Sequence, residues 1–115
     1  MLRLHHAPRS RSSRILWLLE ELGADYQVVY TNIERQDGSG AEDEANPHPD
    51  KKVPALVHNG ALITESAAIV LYLTDLYPKA DLGPQPGDPK RGEYLAWLFY
   101  YSGEIEPVVT FESAG

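Results

Sequence analysis

The sequence predicts an α/β domain in which helices pack against a four-stranded mixed sheet. Segments typical of β-strands alternate with segments of helical periodicity between residues 1 and 78. An Asn-Gly pair separates two short apolar runs, which is the strongest local signal of a β-hairpin. A segment rich in proline and glycine then precedes a strongly aromatic helix pattern, so the α/β part is expected to end there.

The first three elements are expected to form a right-handed βαβ unit with parallel strands. Leu2–His6 is a short strand candidate. A helix follows, in which apolar residues recur at intervals of three and four. These residues are Ile15, Leu18, Leu19 and Leu22. Gly23 is a typical C-terminal helix cap, and Tyr26–Tyr30 is rich in residues that favour strands.

The remaining elements are expected to form a loop, a hairpin and a helix. Residues 33–52 are polar and predict a mobile loop with at most one helical turn. Val53–His58 and Ala61–Thr64 flank Asn59-Gly60 and form the antiparallel hairpin. Ser66 is expected to cap a helix whose buried stripe and flanking tyrosines are Ile69, Leu73, Leu76, Tyr72 and Tyr77. The whole order is that of a thioredoxin-like domain.

The chain divides into three predicted parts, which are a thioredoxin-like domain at 1–78, a linker at 79–88 and a helix at 89–115. Asp88 is a suitable N-cap, because Pro89 follows it at the first helical position. Tyr94–Tyr101 is an unbroken apolar and aromatic run, and a helix that is apolar on most sides must be covered on most sides. The sequence therefore predicts either the front of a longer protein or a partner chain on this helix.

Composition excludes several classes of function. The 115 residues contain no cysteine, which excludes a disulfide framework and catalysis by a thiol of the protein itself. The net charge of −7 argues against a nucleic-acid partner. Neither a membrane-spanning run nor a signal-peptide core is visible, so we expect a soluble cytoplasmic protein. The Arg- and Ser-rich start leaves a transit peptide as an alternative. The histidines show no metal-ligand spacing, so no metal is predicted.

Charge is distributed unevenly along the chain. The first 19 residues contain four arginines and no acid, whereas residues 34–50 contain six acids and only one base, Arg35. A basic patch of this kind concentrates small anions, although a solvated surface asymmetry gives the same pattern.

The junction between the first strand and first helix is a candidate anion site. Ser10-Arg11-Ser12-Ser13 combines serine hydroxyls with the free N–H groups of a helix start, although helix capping explains the same residues. Ser10 and Ser13 have the spacing that Cys-x-x-Cys has in redox proteins of this topology. Such a site can hold a thiolate but cannot supply one.

Two further segments carry candidate binding groups. Val53-Pro54 is a candidate cis bond, which would turn the Val53 backbone toward an extended peptide ligand. An ordinary trans proline at the start of an edge strand is the alternative. Thr64-Glu65-Ser66 precedes the later helix, where Ser66 suits a carboxylate and Glu65 an amine. A plain N-cap is the alternative for this segment.

Three motifs together resemble the N-terminal domain of glutathione S-transferases of the serine-type, bacterial-like kind. They are Ser10–Gly23, Lys52–Leu56 and Thr64–Leu73, and the resemblance covers about residues 1–78. The helix from Asp88 resembles the first helix of that family's all-helical C-terminal domain. The resemblance implies glutathione as co-substrate, no metal, a small electrophilic substrate, and a dimeric cytoplasmic enzyme of detoxification.

The same resemblance implies how the tripeptide binds. The bond before Pro54 would be cis, and the Val53 backbone would pair with the cysteinyl part of glutathione. Lys52 would lie near the glycine end. Glu65 and Ser66 would hold the γ-glutamyl end, with its carboxylate at the helix start. The resemblance also places the electrophile site mostly in the C-terminal domain, with Tyr94, Trp97, Tyr100 and Tyr101 as candidates for its first wall.

Ser10 is the implied catalytic residue, because it aligns with the serine of the serine-type classes. A hydrogen bond from its hydroxyl to the glutathione sulfur would favour thiolate over thiol. Ser12 is the second candidate for this role. His48 is a candidate for the basic ligand that some members use. Glu104 and its neighbour Glu106 are candidates for reaching the γ-glutamyl amine across a dimer.

Two alternatives to a transferase stay open at this point. One is a non-catalytic interaction domain with the same fold, and the other is a glutathione-dependent isomerase. The presence of Ser10, Glu65 and Ser66 favours an enzyme, since a docking module has no physical need for them. A chain of only 115 residues is expected to have little transferase activity and to associate through the surface at Trp97–Tyr101.

Overall fold

The computed structural model describes residues 1–101 of the chain. Its elements, in chain order, are β1 (Leu2–His6), α1 (Ser12–Glu21), β2 (Tyr26–Tyr30), β3 (Ala55–His58), β4 (Ala61–Ile63), α2 (Ser66–Leu76), a 3-10 turn (Pro78–Ala80) and α3 (Arg91–Tyr100). Among these residues, every helix is too short or too polar to cross a membrane.

The four strands form one mixed sheet, as predicted, and the structure gives their order as β2-β1-β3-β4. β1 is parallel to β2, whereas β3 is antiparallel to both β1 and β4. The hairpin strands are shorter than predicted, since β3 begins at Ala55 and β4 ends at Ile63. Pro54 has no N–H to donate to a ladder, so the strand cannot pair regularly through it.

The core lies between β1, β3 and the helices α1 and α2. Its buried side chains are Leu2, Leu4, Ile15, Leu18, Leu19, Leu22, Leu56, Ile69 and Leu73. All four residues of the apolar stripe predicted for the first helix are therefore confirmed as buried core residues. The prediction for Leu76 is wrong, because this last residue of α2 is 40% exposed. The buried face of α2 includes Thr74 instead, whose hydroxyl contacts the Tyr94 hydroxyl of α3.

The predicted turn residues adopt the backbone that their types favour. Gly23 has a φ of +66°, and its N–H donates to the carbonyl of Glu20. The N–H of Ala24 donates to Leu19, which completes a Schellman cap on α1. Asn59 and Gly60 both have positive φ, as a type I′ hairpin turn requires.

The helix starts differ from prediction. Ser66 does not cap α2; it is the first helical residue, and no side chain caps this helix. At α1, Ser10 alone of the three serines plays a cap-like part, since its Oγ accepts the N–H of Ser12. α3 begins at Arg91, after a turn in which Asp88 accepts the N–H of Lys90. Residues 33–52 contain turns but no helical turn.

Two polar contacts join α2 to α3. The hydroxyls of Thr74 and Tyr94 lie 2.8 Å apart, and the Arg91 guanidinium donates to both carboxylate oxygens of Asp75 at 2.7 and 3.2 Å. Gly83 in the intervening linker packs against the first of these contacts. A Cβ there would lie 3.0 Å from both hydroxyl oxygens.

Gly83→Ala should therefore destabilise the chain by about 1–3 kcal/mol, the usual cost of overpacking. Gly92→Ala is the matched control, because a Cβ at Gly92 meets no atom within 4 Å. Since Gly92 lies in α3, alanine should stabilise the chain by up to about 1 kcal/mol. Urea unfolding of both variants measures the difference. Equal shifts of the two midpoints would contradict this account of Gly83.

Candidate functional site

The predicted site residues lie at one edge of the sheet. β1 ends where β3 begins, because His5 pairs with Ala55 in the antiparallel ladder. β4 runs back toward the same edge, since Ile63 pairs with Leu56. The chain leaves β1 toward Ser10, enters β3 through Val53, and leaves β4 toward Glu65. Sheet topology thus brings three segments that are far apart in sequence to a common edge.

A cleft of about 910 Å³ opens beside this edge. Ser10, Lys52 and Val53 all line it, together with charged residues of both signs from the segments around them. The basic start and the acidic loop meet here, because the Arg35 guanidinium donates to the carbonyls of Pro8 and Arg9 at 2.7 and 3.2 Å. The loop that was predicted to be mobile is therefore tied to the turn that carries Ser10.

Ser10 and Ser12 differ in accessibility. Ser10 is half-buried and lines the cleft, whereas Ser12 is completely buried. The Ser10 hydroxyl lies 2.6 Å from the carbonyl oxygen of Ala7 and 2.6 Å from Oγ of Ser12. The Ala7 carbonyl can only accept a hydrogen bond, so the Ser10 hydroxyl donates to this carbonyl or to Ser12 unless a ligand in the cleft becomes its acceptor. Only Ser10 of the two can meet a molecule in the cleft.

The bond between Val53 and Pro54 is cis, which agrees with the family resemblance and not with the trans alternative. Val53 is half-buried at the cleft wall. Within residues 1–101, its backbone N–H and C=O have no hydrogen-bond partner. Both groups are therefore available to an extended peptide.

Asn46 holds the segment before Val53, and sequence reasoning missed it. This side chain is 1% exposed. Its Nδ2 donates to the carbonyl of Lys52 at 2.9 Å, and its Oδ1 accepts the N–H of His48 at 3.0 Å. An Asn directly before a proline is a turn signal, but only the fold shows that the side chain is buried.

Glu65 and Ser66 lie at the start of α2 but do not line the cleft. Glu65 is exposed and has a φ of 72°, an uncommon backbone for glutamate that is often found at functional sites. In the described part of the chain, the Ser66 hydroxyl makes no hydrogen bond and no side chain caps the helix. The plain N-cap alternative is therefore wrong for this segment.

The other candidates are placed as follows. His48 uses Nδ1 to accept the N–H of Asp50 at 2.9 Å, so this nitrogen is occupied within the loop. Tyr94 bonds to Thr74, and Tyr101 lies under the Arg14 guanidinium at 5.1 Å. Trp97 and Tyr100 are exposed and contact each other edge to face. Glu104 and Glu106 lie outside the described residues.

Two buried histidines stand behind the site on β1. Burial lowers the pKa of His6, and burial together with the Arg3 charge lowers the pKa of His5. Both rings are therefore neutral near neutral pH. His6 contacts Ser12, whereas His5 faces Thr31.

Comparison with known proteins finds relatives over most of this chain. The family model for the glutathione S-transferase N-terminal domain matches residues 1–75. Glutathione S-transferase 3 of Schizosaccharomyces pombe is 32% identical over 110 residues, which cover 95% of this chain and 44% of that protein. The crystal structure of a glutathione transferase from Methylococcus capsulatus matches with a TM-score of 0.75 and 33% identity, over 91% of this chain and 52% of that one.

A sphingomonad glutathione S-transferase complexed with glutathione matches equally well. Its TM-score is 0.75 at 29% identity, over 91% of this chain and 53% of that one. The present chain thus spans about half the length of these relatives.

Proposed function

Because the chain belongs to the glutathione S-transferase family, we propose that it binds glutathione at the sheet edge and holds the sulfur as a thiolate. The thiolate then attacks a small electrophile. The observation that carries this proposal is the shared cleft of Ser10 and Val53. Ser10 supplies a hydroxyl that can donate a hydrogen bond to sulfur. Val53 supplies a backbone N–H and C=O that have no hydrogen-bond partner within residues 1–101 and can pair with a peptide.

The charged ends of the tripeptide find suitable partners around this centre. Lys52 lines the cleft beside Val53 and suits the glycine carboxylate. Glu65 suits the γ-glutamyl amine, while Ser66 and the free N–H groups of α2 suit the γ-glutamyl carboxylate. The uncapped start of α2 supports this assignment, since its first N–H groups lack a side-chain acceptor.

The chemical role of the site is to favour one protonation state of the ligand. The glutathione thiol loses its proton to solvent, and the Ser10 hydroxyl donates to the resulting thiolate. The sulfur electron pair forms the new bond to the electrophilic atom, and the leaving group departs with its own bonding pair. Small electrophiles as substrates and a second copy of the chain as partner belong to the same proposal.

Calorimetric titration with glutathione tests the proposal directly. We expect saturable binding in this titration. In a second experiment, the chain should be retained on immobilised glutathione, and free glutathione should release it. Triglycine is the matched control, because it lacks both the thiol and the γ-glutamyl end and should not compete. A chain that ignores glutathione in both experiments would overturn the proposed function and favour a non-catalytic docking domain.

A further inference from the structure

Ser12 connects the Ser10 hydroxyl to a buried histidine. Oγ of Ser12 lies 2.7 Å from Nδ1 of His6 and 2.6 Å from Oγ of Ser10. Ser12 is completely buried and His6 is 5% exposed. The three side chains form a continuous chain of hydrogen bonds that runs from the core to the cleft, where Ser10 is its last member.

The position of one proton on His6 decides what Ser10 can offer. A hydroxyl donates one hydrogen bond and accepts two. Oγ of Ser12 already accepts the N–H of Ala7 at 3.1 Å. If Nδ1 of His6 carries a proton, Ser12 accepts a second bond, and its own proton is directed to Ser10, its nearest remaining neighbour. Ser10 also accepts the N–H of Ser12 at 3.2 Å, so both of its acceptor positions are filled and it can only donate. Its proton goes to the Ala7 carbonyl at 2.6 Å in the free chain, and a bound sulfur would take the place of that carbonyl.

The other tautomer of His6 reverses the directions of the hydrogen bonds between His6, Ser12 and Ser10. With Nδ1 unprotonated, Ser12 donates to His6 and can accept from Ser10. Ser10 then has a free lone pair that can accept a bond from an S–H group. One tautomer therefore favours a thiolate beside Ser10, and the other favours a thiol.

Two observations favour the proton on Nδ1. Within residues 1–101, Nε2 of His6 has no hydrogen-bond partner. An unpaired N–H in a buried site is rarer than an unpaired acceptor, so the proton is better placed on the nitrogen that has a partner. Because burial lowers the pKa of His6, the neutral ring has a single N–H to place.

We propose that His6 is a positioning residue for thiol ionisation: it donates from Nδ1 to Ser12 and thereby leaves Ser10 able only to donate to a bound sulfur. The inference rests on the proposed function, in which that sulfur belongs to glutathione. It adds a residue that never touches the ligand.

The tautomer itself is measurable in the free chain. Nitrogen-15 NMR of the His6 ring should show the proton on Nδ1 near neutral pH, with assignment by the signals lost in His6→Asn. A proton on Nε2 would overturn the inference whether or not glutathione binds.

The effect on the ligand is tested with three variants. His6→Leu removes the donor, whereas His6→Asn keeps an amide N–H near the position of Nδ1. In His6→Leu, glutathione should still bind, but the thiolate-to-thiol ratio read from ultraviolet absorbance should fall about tenfold, the effect of one hydrogen bond. His6→Asn should restore most of it. His5→Leu, an equally buried histidine that does not contact Ser12, should leave the ratio unchanged.

The outcomes separate this inference from the proposed function. If the wild-type chain binds no glutathione, the proposed function is overturned. The NMR measurement on the free chain still decides which tautomer His6 adopts. Normal binding with an unchanged thiolate ratio in His6→Leu overturns the inference alone. If His6→Leu does not fold, Ser12→Ala breaks the same connection and should lower the ratio equally; an unchanged ratio there also overturns the inference.

Discussion

Ser10→Ala should raise the pKa of the bound glutathione thiol by about 1–2 units, which lowers the thiolate-to-thiol ratio about 10- to 100-fold. A hydrogen bond to a charged group contributes about 1.5–3 kcal/mol, and one pKa unit corresponds to about 1.4 kcal/mol. Removing the donor therefore accounts for the whole shift. Ultraviolet absorbance of bound glutathione across a pH titration measures it.

Ser13→Ala is the matched control for this experiment. Ser13 lies in the same helix start, is exposed, and makes no side-chain hydrogen bond in the described part of the chain. Its replacement should leave the thiol pKa unchanged. The affinity for glutathione should change little in Ser10→Ala, because the proposed contacts to the peptide backbone and its charged ends involve other residues. An unaltered thiol pKa in Ser10→Ala would contradict the role assigned to this hydroxyl.

Asn46→Ala should lower the free energy of unfolding by about 1–3 kcal/mol. The substitution removes a buried side chain and leaves the part-buried carbonyl of Lys52 and N–H of His48 without their protein partners. Each lost hydrogen bond costs about 0.5–1.5 kcal/mol. The lost hydrogen bond fixes the backbone of Lys52, the residue directly before Val53. Because Val53 is a proposed contact to glutathione, glutathione should also bind more weakly. Urea unfolding and calorimetric titration measure the two effects.

Asn32→Ala controls for the loss of an asparagine from the same loop. Asn32 is exposed, and within residues 1–101 its side chain makes one hydrogen bond, in which it accepts the N–H of the adjacent Ile33. Its replacement should change stability by less than about 0.5 kcal/mol. Asn46→Asp keeps an oxygen for His48 but removes the donor to Lys52, so its stability should lie near that of Asn46→Ala. Equal unfolding midpoints for Asn46→Ala and Asn32→Ala would refute the structural importance of Asn46.

Local patterns in the sequence predict most of the fold. The α1 stripe, the cap at Gly23 and the Asn59-Gly60 hairpin all depend on neighbours within seven residues, where periodicity and backbone preference act directly. The order of these elements then restricts the sheet to a mixed topology. Errors occur at element ends, as at Leu76 and Ser66, since burial and capping there depend on neighbours that come from elsewhere in the chain.

The sequence by itself determined the fold class, the absence of a thiol and the three segments that meet at the site. Only the tertiary structure decided which serine faces the cleft, that Asn46 holds Lys52, and that His6 contacts Ser12. The physical reason is that each of these depends on burial and direction. A hydroxyl or an imidazole has the same chemistry anywhere in a sequence, but its hydrogen-bond partners exist only once distant segments are packed together.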